Sequence, residues 1–170
     1  MITEDQQGSG LGNVSLAEAF TIEHHEIDAG IEKYLADTDS KGDALLRARP
    51  LISAMEALRR HIYLEEEIVF PHLPAGPLMM ALMVMRKEHG EIWRQMGELS
   101  QSLDSESADT ERVEQLCQEI LALLDRHNSK EEPVIYPHMD ADLNEEEQQL
   151  ICELLEGGTL PEGWVCQALR

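Results

Sequence analysis

Apolar residues recur at three- and four-residue steps over four long stretches of the chain, a period that belongs to amphipathic helices and not to strands. The first stretch sets Leu16, Phe20, His24, Ile27 and Ile31 on one face, with Ser15 as N-cap and Glu18 in the capping-box position. It predicts a helix ending before Asp37. Residues 37–43 carry Asp, Ser and Gly and read as a loop. Leu51, Met55, Leu58, His61, Glu65 and Ile68 then mark a second helix, in which Pro50 either opens the main part or kinks it. Pro71, Pro74, Gly76 and Pro77 break the chain. The third pattern is the most regular: Leu78, Leu82, Met85, His89, Ile92, Met96, Leu99 and Leu103 alternate steps of four and three. After a polar stretch at 104–109, Val113, Leu116, Ile120, Leu123, His127, Glu131 and Val134 mark a fourth helix ending around Pro137.

Four long helices joined by short loops predict an all-α, up-down-up-down four-helix bundle. A shorter C-terminal helix is expected from Asn144, with Glu147 in the box position, to Gly157 and Gly158. The expected organisation is a flexible N-terminus at 1–14, the bundle at 15–140, and a C-terminal helix and tail at 141–170. With 170 residues, 42% hydrophobic and only 4% aromatic, the chain fits one helical domain.

Charge narrows the partners. A formal net charge of −21, from 34 acidic and 13 basic residues, repels DNA and anionic membrane surfaces. No span of eighteen apolar residues predicts a membrane helix, and residues 1–13 lack the basic and apolar regions of a secretory signal. Cys117, Cys152 and Cys166 are odd in number and widely spaced, with no Cys-x-x-Cys pair, and read as reduced thiols of a cytoplasmic protein.

The chemistry lies in a repeat. His61-Ile-Tyr-Leu-Glu65-Glu66, running on to Phe70-Pro71-His72, recurs as His127-Asn-Ser-Lys-Glu131-Glu132, running on to Tyr136-Pro137-His138. Glu88-His89-Gly90-Glu91-Ile92 likewise repeats Glu23-His24-His25-Glu26-Ile27, and the first His precedes the second motif by 37 residues in one half and 38 in the other. The chain is an internal duplication of helix pairs. A His and a Glu four apart share one helix face about 6 Å apart along the axis, a spacing that lets two side chains converge on neighbouring metal ions. All four helices thus turn a histidine inward and two also turn a carboxylate inward. Burying such carboxylates without compensation costs on the order of several kcal/mol per ion, whereas metal ligation uses the anionic carboxylate and neutral imidazole directly. A lone inward histidine is ordinarily a packing residue; two in-phase copies of both motifs favour metal.

These residues resemble the hemerythrin-like (HHE cation-binding) domains, whose pattern of His, His-x-x-x-Glu, His, His-x-x-x-Glu is matched by His24, His61, Glu65, His89, His127 and Glu131 over roughly residues 15–140. The resemblance implies a di-iron site. In it the two glutamates bridge both ions, with His24 and His61 on one iron and His89 and His127 on the other, completed by an oxo or hydroxo bridge. It argues against a ferritin-like site, whose helices carry Glu-x-x-His. A nitrogen-and-carboxylate donor set suits iron, with zinc or manganese as substitutes. The oxygen-carrying hemerythrins have a His-x-x-x-His helix, but four residues after His89 stands Trp93, expected as a wall of the pocket, and four after His24 stands Asp28. Asp28 is expected in a surface salt bridge, with a place behind the ligands or a ligand role as alternatives. The missing fifth histidine leaves an open coordination position.

His25 is out of phase and expected on the helix flank. His72 and His138 follow helix-ending prolines and read as end-of-helix residues, or as residues behind the ligands. Glu66 and Glu132 are rotated about 100° from the ligands and read as solvated or capping. Met79, Met80, Met83 and Met85 read as adaptable core. Three functions fit: a binding module taking up O2 or NO for sensing, carriage or scavenging; a stress protein of the repair-of-iron-centres type, though the cysteine-bearing N-terminal domain of those proteins is missing; and an iron-responsive interaction module, with residues 159–170 and Trp164 free to dock elsewhere.

Overall fold

A computed structural model describes residues 14–37, 43–105 and 109–170. The expected N-terminal segment and the middle of the 37–43 loop lie outside the described residues. Six α-helices and no strand occur among those described. Helix α1 spans Leu16–Ala36, and its Ser15 cap and Glu18 form the reciprocal capping box. Helix α2 spans Ala44–Leu64, opened by Asp43 accepting from the Leu46 N–H. Helix α3 spans Ala75–Asp104 and α4 spans Thr110–Val134, the latter capped by Asp109. These four form the up-down-up-down bundle, α1 packing on α2 and α4, and α3 on α4. No helix is long and apolar enough to cross a membrane among the described residues.

The prolines act more gently than their number predicts. Pro50 neither opens α2 nor ends it, since the helix begins at Ala44 and runs through it. Pro74 is the residue that stops the preceding segment, and Gly76 and Pro77 sit inside the first turn of α3, where a missing N–H costs nothing. Likewise α4 ends at Val134 and a short helix α5, Tyr136–Asp142, restarts the chain with Pro137 in its first turn. Helix α6, Glu145–Gly157, has the expected Asn144–Glu147 capping box and packs on α1 and α2. Between α2 and α3 the chain makes a wide π-helical turn over Glu65–Val69, closed by the Phe70 N–H on the Glu65 carbonyl, and then a tight turn over Phe70–His72.

Two apolar clusters fill the bundle. One holds Ile27, Leu58, Ile62, Ile92 and Leu124; the other holds Phe20, Leu64, Phe70, Met85, Ile135 and Tyr136. Along every helix the candidate ligands fall at the junction of these clusters, so the polar layer is sealed by hydrocarbon above and below. Each fully buried side chain of this size contributes about 1.5–3 kcal/mol. The methionines are less internal than expected: Met85 is buried, but Met79, Met80 and Met83 face outward because they fall on the far side of α3.

Helices α1 and α2 approach closely at Gly30, where a Cβ would stand 2.8 Å from the Pro50 carbonyl oxygen and 2.9 Å from the Ala54 Cβ. Pro50 and Gly30 thereby set the spacing of this helix pair. Gly97, in α3, has nothing within 4 Å of the corresponding position. Gly97→Ala is expected to stabilise by about 0.5–1 kcal/mol, as alanine does in an open helix site. Gly30→Ala is expected to destabilise, falling about 2 kcal/mol below Gly97→Ala in urea denaturation, because backbone must move to admit the methyl.

Candidate metal centre

The duplication brings all six sequence-predicted residues into one buried layer. His24, His61, Glu65, His89, His127 and Glu131 are each no more than 4% exposed. The histidines form two pairs: His24 and His61 face each other with their Nε2 atoms 3.0 Å apart, and the rings of His89 and His127 lie with centroids 4.9 Å apart. The carboxylates lie between the pairs. Glu131 sets Oε1 3.4 Å from His24 Nε2 and Oε2 3.3 Å from His127 Nε2. Glu65 Oε1 is 3.5 Å from His61 Nε2 and 3.4 Å from His89 Nε2.

Several of these atoms have no hydrogen-bond partner although water cannot reach them: Glu65 Oε1, Glu131 Oε2 and His89 Nε2. Buried acceptors aimed at one another are costly unless a cation joins them. Glu65, His89, His127 and Glu131 each offer a donor atom within 4.8 Å of the others, as do His24, His61 and Glu131. The donor set and its spacing fit metal ions.

The family model of the hemerythrin HHE cation-binding domain matches residues 15–139. The chain belongs to the hemerythrin HHE family. It is accordingly a metal-binding helical protein, and it carries a buried cluster of His and Glu side chains. No curated protein and no solved structure matches it.

Around the hemerythrin cluster each histidine turns its Nδ1 toward a second carboxylate. His89 donates to Glu66 at 2.7 Å and His127 to Glu88 at 3.1 Å, while His61 Nδ1 is 3.4 Å from Glu23 and His24 Nδ1 3.9 Å from Glu132. A carboxylate on Nδ1 fixes the tautomer that leaves Nε2 free to bind metal and orients the ring. The placement obeys the duplication: Glu23 and Glu88 stand beside the histidine of the next helix, and Glu132 and Glu66 beside the first histidine of the opposite half. Only Glu66 and Glu88 are hydrogen-bonded to theirs, Nδ1 of His24 and His61 having no hydrogen-bond partner. Glu66 is therefore not solvated or capping. In a four-helix bundle a residue 100° from the central line faces a neighbouring helix, and the wide turn at Glu65–Val69 buries Glu66 with its neighbour.

Glu66 also ties the end of the chain to the site. Its Oε1 accepts the Gln167 N–H at 2.8 Å, while Glu67 accepts from Trp164 Nε1 and Arg170. Trp164 packs edge-on against Tyr63 and Trp93. Trp93 thus meets the C-terminal strap, residues 159–170, and not the metal layer, and the strap docks on its own bundle. A Cβ on Gly90 would come 2.8 Å from the Ala168 Cβ, so the strap's approach beside His89 depends on that glycine.

Tyr136 was not among the expected site residues, yet its hydroxyl lies 2.8 Å from His24 Nε2, 2.9 Å from Glu131 Oε1, 3.0 Å from His61 Nε2 and 3.1 Å from Glu65 Oε2. The repeat had marked its position beside Phe70. Other residues lie apart from the centre: His25 is exposed, His72 bonds the Ile68 carbonyl and His138 pairs with Asp142. Asp28 makes no surface salt bridge among the described residues. It is half-buried one turn from His24 with Oδ1 unpartnered, and burial together with Glu32 raises its pKa.

Burial, then the adjacent Glu131, pushes Glu65 well above the usual carboxylate range. Burial acts on Glu131 in the same direction, but His127 and then His24 outweigh it and hold Glu131 ionised. For His127, burial is overcome by Glu131 and Glu88, which raise its pKa to about 9. Burial lowers His24. Glu66→Ala is expected to weaken metal binding about 10–100-fold in a chelator competition, the usual effect of removing a carboxylate behind a ligating histidine. Glu26→Ala, on the exposed flank of α1, should leave it unchanged.

Proposed function

We propose that the bundle carries a non-haem di-iron centre that takes up O2 or NO, for sensing, carriage or scavenging. The observation that carries this reading is the position of the two carboxylates. Each reaches one histidine of each pair, Glu131 with its two separate oxygens and Glu65 with one, as bridges between two ions require. Two-metal sites space their ions about 3.5–4 Å apart, a distance that one carboxylate spans. His24 and His61 would hold one ion, His89 and His127 the other. Nitrogen and carboxylate donors favour iron, with zinc or manganese as substitutes. When bound, an iron pair supplies the reversible electron donation that O2 or NO uptake needs.

The chain's own contribution is enclosure and orientation. Phe20 and Phe70 close the layer against water, and Glu66 and Glu88, hydrogen-bonded to Nδ1 of His89 and His127, keep these two imidazoles in the metal-binding tautomer.

Elemental analysis of protein expressed in iron-supplemented medium should return about two irons per chain, the number that a doubly bridged centre holds. His61→Ala and Glu131→Ala should lose most of this iron and His25→Ala should keep it; full loading of the first two variants would overturn the ligand assignment. Mixing the reduced protein with O2 or NO should give a reversible change in the visible spectrum, whereas sustained consumption of either gas would point instead to a stress-protective enzyme.

Metal uptake should also depend on pH with a defined sign. His127, with its pKa raised to about 9, must give up a proton before Nε2 can bind, and the raised pKa of Glu65 acts in the same direction. Loading therefore releases protons, and apparent affinity should rise with pH through neutrality toward pH 9, as measured by titration calorimetry in buffers of different ionisation enthalpy.

A further inference from the structure

Donors about 2.1 Å from one octahedral ion lie about 3.0 Å from their nearest neighbours. On the His24–His61 side that spacing recurs around an atom outside the histidine and glutamate set. The Tyr136 oxygen is 2.8 Å from His24 Nε2, 3.0 Å from His61 Nε2, 2.9 Å from Glu131 Oε1 and 3.1 Å from Glu65 Oε2, while the two Nε2 atoms are 3.0 Å apart. His24, His61 and Glu131 already offer donor atoms that are mutually close, and the Tyr136 oxygen joins them as a fourth corner of one coordination shell.

The opposite side lacks a counterpart of the Tyr136 oxygen. Phe70 occupies the position of Tyr136 in the other half of the duplication, five residues after Glu65 as Tyr136 is five after Glu131. The correspondence holds in space: Tyr136 stacks on His24 with centroids 5.4 Å apart and Phe70 stacks on His89 at 5.9 Å. Both rings are buried. Phe70 has no oxygen to offer, and His89 Nε2 has no hydrogen-bond partner.

The geometry points to Tyr136 as a direct oxygen ligand of the ion held by His24 and His61, with Phe70 leaving the ion held by His89 and His127 open to an external ligand. This rests on the two-ion reading above. It breaks the symmetry of the duplicated site: one ion gains a protein oxygen that the other lacks, and the other carries the exchangeable position. Coordination replaces the phenolic O–H bond with an O–metal bond and the proton leaves to solvent, as expected where a cation becomes the largest local charge.

The test uses full-length protein loaded with ferric iron, with iron content, visible absorption and resonance Raman recorded on each sample. Wild type should show a phenolate-to-iron charge-transfer band with enhanced tyrosine ring modes. Tyr136→Phe should lose that band while retaining iron through the six other donors. Phe70→Tyr should roughly double the band, and its azide affinity should fall tenfold or more because the open position is filled. Iron-loaded wild type without the band, or Tyr136→Phe that keeps it, overturns the role of Tyr136 while leaving the two-ion reading intact. Unchanged azide binding in Phe70→Tyr overturns the assignment of the open side. Wild type that takes up no iron overturns both readings, and the iron content separates that failure from the others.

Discussion

Glu65 and Glu131 face each other in a layer that water does not reach, and the rest of the molecule is arranged around that constraint. Two carboxylates there cannot both ionise unless positive charge is supplied, and the imidazoles supply only part of it. Partial neutralisation explains the uneven titration of the pair, the pKa of one acid held down by His127 and His24 and that of the other pushed up by burial and by its neighbour. It also explains why apolar clusters close both ends of the layer. A cavity open to water would solvate the carboxylates and remove the demand for a cation; a dry one keeps it. The fold is thus more than a support for the site, because the same burial that stabilises the bundle makes the layer call for metal.

Helix pairing by duplication makes such a layer accessible with few distinct parts. One helix pair supplies a histidine and a His-x-x-x-Glu motif, and a second copy packed against it supplies the rest. The carboxylates behind the histidines follow the same logic, two standing within a half and two across halves. The copies are not identical, however. A single oxygen distinguishes Tyr136 from Phe70, and the wide turn after Glu65 has no counterpart after Glu131, where α4 gives way to α5. Such departures are where a symmetric scaffold acquires two chemically different ends.

The helices and the six central residues were legible because their signals are periodic and repeated: a 3.6-residue stripe names a buried face, and a repeated motif rules out coincidence. The boundaries were legible where local chemistry sets them, as with the Ser15 and Asn144 caps. What escaped depends on neighbours. Phase alone turns Glu66 outward because it is measured from a helix axis, whereas burial is decided by the adjacent helix and by a turn with an extra residue. Trp93 reads as a pocket wall because nothing in its own helix reveals that Trp164, more than seventy positions away, returns to cover it. Tyr136 sat in the repeat in plain view, but a tyrosine after a metal motif reads as packing until its hydroxyl is located. Pro50 was undecided because a proline within a helix and one at its start look alike in sequence.

The C-terminal strap gives the metal layer a handle on the surface. Its Gln167 amide and the His89 imidazole are held by the two oxygens of one carboxylate, Glu66. Thermodynamic reciprocity then applies: if docking the strap firms the grip of His89 on an ion, an ion firms the docking of the strap by the same factor. Anything that took hold of the strap's exposed residues and peeled it away would draw on that shared free energy, loosening an ion it never touches.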